Sequence, residues 1–257
     1  VHSRAVHDAD GLFEALVGLG AVARRSGDPE QALRYLDGAE RLASDRTRAS
    51  ALWSDRALVL AERGSIDEAC NQMASLSSET SGAMAILPTL AWACLAVGYG
   101  SDEWLDARTA EAMVERLARA LEHARAEAPA LAIPVQACLG HARAVAGDPE
   151  RGRRESEAAM MRFVKRGALR ADEPWRLYLQ HAAVLEMAGA VKSEIAEALG
   201  QAVGQLDLMI SRLERPTRAR VLSRLGPVGL IARAERAGWS IQREPRSHRL
   251  SWKPRDA

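Results

Sequence analysis

Gly27-Asp28-Pro29-Glu30-Gln31-Ala32-Leu33 is the stretch in which the fold of this chain first becomes legible. A glycine takes the left-handed conformation that ends one helix. An aspartate accepts from the free N–H groups that open the next, and proline fits that helix's first turn, where its missing N–H is no loss. The same order returns twice. Gly64-Ser65-Ile66-Asp67-Glu68-Ala69 puts a serine in the capping place, and Gly147-Asp148-Pro149-Glu150-Arg151-Gly152 repeats the aspartate and the proline. Each predicts two helices joined by a tight turn.

Counting back from these glycines, and from Gly98 and Gly189, gives a shared pattern. The residues eleven, eight, seven and four places earlier fall on one helix face. They are Leu16, Leu19, Gly20 and Ala23, then Trp53, Arg56, Ala57 and Leu60, then Leu87, Leu90, Ala91 and Cys94. The fourth set is Gln136, Leu139, Gly140 and Arg143, and the fifth is Tyr178, His181, Ala182 and Leu185. The residue seven places back is Gly or Ala every time, which predicts a close approach between the two helices of each hairpin. Past the turn, the second helices carry Ala32, Leu36 and Ala39, then Ala69, Met73 and Leu76, and in the fourth unit Gly152, Ser156 and Ala159. Spacings of 37, 34, 49 and 42 between the glycines predict long second helices near residues 105–127 and 191–212.

This arrangement resembles the tetratricopeptide repeat family over about residues 8–212: a large residue, Leu-Gly, a bulky residue, glycine at the turn, and small–large–small on the second helix. Units one and two match through both helices, unit four through its first helix and turn, and units three and five in the first helix. The resemblance implies an all-α, right-handed α-solenoid of about five helical hairpins; another α-solenoid or bundle is the alternative. It also implies a binding scaffold for a protein or peptide segment, of the kind that accompanies catalytic domains in bacterial signalling and effector proteins.

Composition agrees with helix packing. Of the 257 residues 47% are hydrophobic and only 4% aromatic, which disfavours sheets. No apolar run reaches the roughly 18 residues of a membrane helix. Lys165, Lys192 and Lys253 are the only lysines, so the basic charge is nearly all Arg, a usage expected of a GC-rich bacterial gene. Cys70, Cys94 and Cys138 have no CxxC spacing and sit in apolar helical patterns, so reduced thiols and a cytoplasmic location are expected. The chain starts at Val1 in helical sequence, as a piece of a longer protein would.

The first helices should line a concave groove with the residues thirteen, ten, six and three places before each glycine. Those sets are Glu14, Val17, Ala21 and Arg24; Ala51, Ser54, Leu58 and Ala61; Ala85, Pro88, Trp92 and Leu95; Pro134, Ala137, His141 and Ala144; and Arg176, Leu179, Ala183 and Glu186. Family members that grip a C-terminal carboxylate use Lys and Asn there, and none is present. Val17, Leu58, Trp92, Leu95, His141 and Leu179 are the candidate contacts, suited to an apolar or amphipathic segment. The competing reading is that they are core.

Residues 213–257 form a separate segment, expected to cap the array. Residues 212–257 hold eleven Arg and Lys253 against four carboxylates, a balance of +8 that leaves −7 for the rest of a chain of net +1. Short helices are expected at 217–225 and 228–237, separated by Gly226-Pro227. Alternation at 239–243 and 248–252 around a turn at 244–247 predicts a β-hairpin. Trp239 and Trp252 are expected to cover the end of the array. Arg218, Arg220, Arg243, Arg246 and Arg249 are candidate nucleic-acid contacts, otherwise a solvated face; self-assembly through apolar faces is a further alternative. Residues 230–253 also resemble part of the HicA toxin family, in Ala237-Gly238-Trp239 and Ser247-His248. That likeness implies a catalytic His248, although Arg246 replaces the family's glycine.

No phosphate loop, HExxH or GxSxG motif is present. Cys138 and His141, three apart on one helix, are the nearest approach to a nucleophile and base. His2, His7 and His123 lack partners at metal-ligand spacing. Neither enzyme activity nor any cofactor or metal is expected.

Overall fold

The structure, a computed structural model, describes residues 2–98, 107–166, 173–244 and 249–254. Ten helices make five hairpins in chain order: α1 (His2–Arg25) with α2 (Pro29–Glu40), α3 (Arg46–Glu62) with α4 (Ile66–Glu79), α5 (Ile86–Gly98) with α6 (Ala107–Glu127), α7 (Ala132–Val145) with α8 (Pro149–Arg166), and α9 (Pro174–Met187) with α10 (Lys192–Ser211). A 3-10 turn, Gly82–Ala85, leads into α5. Two short helices follow, α11 (Arg215–Leu222) and α12 (Leu225–Arg236), and then β1 (Trp239–Arg243) antiparallel to β2 (Leu250–Pro254). This is the all-α solenoid of five hairpins, with a helical cap and a β-hairpin. The long second helices α6 and α10 lie within a few residues of their expected bounds.

Four turns use one device. Gly27, Gly64, Gly147 and Gly189 all have positive φ, from 67° to 94°. Beyond each, the next N–H reaches back to a carbonyl five residues earlier: Asp28 to Ala23, Ser65 to Leu60, Asp148 to Arg143 and Ala190 to Leu185, at 2.9–3.1 Å. That is the Schellman closure, which satisfies carbonyls the ending helix leaves free. Asp28 and Asp148 cap the following helices by accepting from Gln31 and Arg151. Ser65 does not; its side chain makes no capping bond, and the turn rests on its backbone alone. Asp45, not singled out from sequence, caps α3 by accepting from Arg48 N–H at 2.9 Å.

The small residue seven places before each glycine is buried as expected. Ala57 and Ala182 are fully buried, and Ala91 nearly so. A Cβ on Gly20 would meet Leu36 at 2.8 Å, and one on Gly140 would meet the Gly152 carbonyl at 2.8 Å. In two units the residue eight places back reaches the preceding hairpin. Arg56 pairs with Asp37 and Glu40 of α2, and His181 bonds Ser156 of α8. Leu19 holds this place in α1, which no described helix precedes, and it is 45% exposed rather than packed.

At the C-terminal end α12 begins at Leu225, so Gly226-Pro227 lies inside its first turn rather than between helices. The break falls at Ser223-Arg224, and Gly226 sits under the Trp175 ring, where a Cβ would come within 2.8 Å. The β-hairpin lies on α10. Trp239 covers Gly200 and donates its indole N–H to the Ala196 carbonyl at 2.8 Å; Trp252 lies beside Gly204. Asp207, one turn on, accepts from Leu250 N–H and from Arg249. Two glycines a turn apart thus make room for two indoles.

Candidate functional site

The inner face of the array encloses a cavity of about 860 Å³ to which all five first helices contribute. Arg24 comes from α1; Ala51, Ser54, Asp55 and Leu58 from α3; Leu87, Leu90, Ala91 and Cys94 from α5. Ile133, Pro134 and Cys138 come from α7, and Arg176, Leu177 and Gln180 from α9. Phe163 of α8 and residues 128–131 complete the wall. Leu87 is 38% exposed, so the wall is not sealed. The volume lies in the range of sites that hold a small molecule or a few residues of a peptide.

One end of the cavity is a knot of five charges. Glu173 precedes α9, at its N-cap position, and lies 2.8 Å from Arg176, 2.9 Å from Arg224 and 3.4 Å from Arg24. Glu62, at the end of α3, lies 2.5 Å from Arg224 and 3.2 Å from Arg24. The side chains of Arg24, Glu62, Glu173 and Arg224 are at most 5% exposed. Burial alone would raise the Glu173 carboxyl, but the guanidiniums of Arg176, Arg224 and Arg24 outweigh it and hold the group well below the usual carboxylate range. The knot joins α1, α3, α9 and the start of α12. Beside it Arg224 donates to the Arg25 carbonyl, and Arg220 packs on Gly27, 194 residues from its bonding partner Ser26. The cap therefore closes the superhelix onto its own first turn.

Two thiols also line the cavity. They are Cys94 of α5 and Cys138 of α7, and Gln180 Nε2 donates to Cys138 Sγ at 3.4 Å. Cys138, with help from Arg176 and Arg24, lowers the Cys94 thiol against the effect of burial. Cys94 and burial raise the Cys138 thiol well above its ordinary value. Cys138 thus partners Gln180; His141 is half-buried and outside the cavity wall. Gln180 is 5% exposed, and its Oε1 has no hydrogen-bond partner among the described residues.

The expected groove residues divide. Leu58 lines the cavity, as do Arg24, Ala51, Ser54, Pro134 and Arg176 from the wider set. Trp92 and Leu95 are corrected to core: they are 6% and 0% exposed, and Trp92 lies under the Arg116 guanidinium of α6 at 5.1 Å. Val17 and Leu179 are half-buried against the cores of the first and last hairpins. Of the arginines, Arg218 donates to the Leu213 and Ser211 carbonyls at the end of α10, Arg220 to Thr217, and Arg249 to Asp207. Arg243 is exposed on β1. Arg246 and His248 lie outside the described residues.

Sequence reasoning missed the knot, the place of the two thiols in the cavity and Gln180. Arg24 and Arg176 stood in the groove set, but nothing local connects them to Glu62, Glu173 or Arg224.

No family model matches the chain, and no curated protein matches it. Among solved structures it is similar to a tetratricopeptide repeat protein from Parabacteroides merdae, at 17% identity and a TM-score of 0.42, over 88% of this chain and 77% of that one. So slight a likeness adds nothing to the stacked hairpins, on which the fold assignment rests. No helix among the described residues is long and apolar enough to cross a membrane.

Proposed function

We propose that this chain is an interaction scaffold that seats a short apolar segment of a protein partner in its central cavity. The observation that carries the reading is the cavity itself. Helices α3, α5, α7, α8 and α9 supply Leu58, Leu90, Ile133, Phe163 and Leu177 to the wall, and Gln180 adds a buried amide oxygen able to accept a backbone N–H. A buried acceptor without a partner costs about 1–3 kcal/mol, which a bound segment would recover. Burying one apolar side chain contributes about 1.5–3 kcal/mol, so two anchors contribute about 3–6 kcal/mol before the costs of ordering. A regulatory region of a larger cytoplasmic bacterial protein is the setting we favour, since arrays of this kind hold partners or neighbouring domains.

The intramolecular bonds of Arg218, Arg220 and Arg249 favour a structural role for the basic segment over nucleic-acid contact. Panning a random peptide library on the folded chain tests the reading. Enriched peptides should share a pair of apolar residues, and Leu90→Arg, which puts a charge into the cavity, should weaken them at least tenfold without changing the circular dichroism. Absence of any selected peptide, or binding indifferent to Leu90→Arg, would refute it.

A further inference from the structure

The geometry points to the furrow between α8 and α10 as a docking site for a short amphipathic helix whose polar flank is basic. The furrow has a volume of about 380 Å³ and shares no lining residue with the cavity. α9 packs on both α8 and α10, and these two leave the furrow between them. Its α8 wall runs along one helix face from Arg153 through Glu157 and Met160 to Val164. That is three turns, or about 16 Å, enough to seat a helix of similar length.

Charge decides what kind of helix fits. Arg153 lies 2.7 Å from Glu157 and 3.3 Å from Glu194, and so ties α8 to α10. The lining holds three carboxylates, Glu157, Glu194 and Glu197, against this single guanidinium. Glu197 is exposed and has no ion-pair partner among the described residues. His181 does not restore the balance at neutral pH: its Nδ1 is bonded to Ser156 Oγ at 2.9 Å, and burial lowers its pKa. Met160, Val164 and Tyr178 make the rest of the surface apolar, and Val164 is 67% exposed. An apolar floor with an excess of carboxylates is the complement of a helix with an apolar face and Lys or Arg beside it. The stems of those long cations also cover apolar surface. Exposed ion pairs contribute little to stability, so the floor supplies most of the affinity and Glu197 the preference for a basic partner.

The test uses a fluorescent helical peptide of leucine and lysine alone, with leucine along one face, and a matched peptide with glutamate in place of lysine. The full chain should bind the first and not the second, as read by anisotropy. Val164→Asp should weaken binding about tenfold with the circular dichroism unchanged. Glu197→Lys should weaken it about threefold at low salt, and the difference should vanish at high salt. Glu111→Lys, the same charge change on exposed α6 surface, should leave affinity unaltered, and so should Leu90→Arg in the cavity. Failure of the lysine peptide to bind, indifference to Val164→Asp, or an equal loss from Glu111→Lys would overturn the proposal. So would a dimer of the chain alone that dissociates on Val164→Asp, since a second copy would then fill the furrow. Because Leu90→Arg probes the cavity and Val164→Asp the furrow, failure of one reading leaves the other standing.

Discussion

At Gly140 and Gly152 a methyl group has nowhere to go. A Cβ on the first would stand 2.8 Å from the Gly152 carbonyl oxygen, and one on the second 2.6 Å from the Gly140 carbonyl oxygen. Both obstacles are backbone, so relief requires parting α7 from α8. Gly140→Ala should therefore lower stability by about 1–3 kcal/mol, read as a drop in the urea midpoint. Gly18→Ala is the contrast. That site lies within α1 with nothing within 4 Å of an added Cβ, so alanine should stabilise by about 0.5–1 kcal/mol through helix propensity. An equal loss at both positions would mean that the close approach at Gly140 is not what matters there. Glu173 acts through charge instead. Glu173→Gln removes the negative charge that faces Arg176, Arg224 and Arg24 in a buried setting, and should cost about 3–5 kcal/mol.

Among the elements, the hairpin turns were legible because each is coded locally by a glycine, joined at positions 28 and 148 by a capping aspartate. The facing of α5 was not. Residues 86–98 contain no charged side chain, so helical periodicity has no polar side from which to set a phase. In the structure the face reading as hairpin contact, with Leu87, Leu90 and Cys94, lines the cavity, while Trp92 and Leu95 turn into the core. The β-hairpin was legible from alternation alone, but its seat on α10 depends on Gly200 and Gly204, residues that sequence marks only as weak helix formers. An alanine at 200 would place Cβ 2.4 Å from the Trp239 ring. Gly200→Ala should undock the strands, seen as faster amide exchange at residues 239–243 and 250–254 with α10 still helical. Unchanged exchange there would show that the indole does not hold the hairpin.

Over the whole molecule, hairpin stacking is local in sequence, whereas closure is not. Arg224 meets Glu62 across 162 positions, and Arg24 meets Glu173 across 149. No periodicity reports such pairings, which is why the charge knot could not be read beforehand although Arg24 and Arg176 were placed on the inner face. Closure also gives the array a pH dependence. The Glu173 carboxyl is held below its unfolded value of 4.5, so its contribution is complete above that pH and is lost progressively as pH falls beneath it. Urea midpoints should fall as pH drops below about 4.5, and less steeply in Glu173→Gln; parallel slopes in the two proteins would remove Glu173 from the explanation.

The closed ring itself is the claim on which the cavity, its proposed occupant and the reach of the cap all depend. Ser26→Cys combined with Arg220→Cys, treated with a short bis-maleimide and mapped by mass spectrometry, tests it most directly. The account predicts an intramolecular link between positions 26 and 220 in the monomer, since the Arg220 Nε lies 3.5 Å from the Ser26 carbonyl. Complete single labelling of both cysteines with no link between them would contradict it.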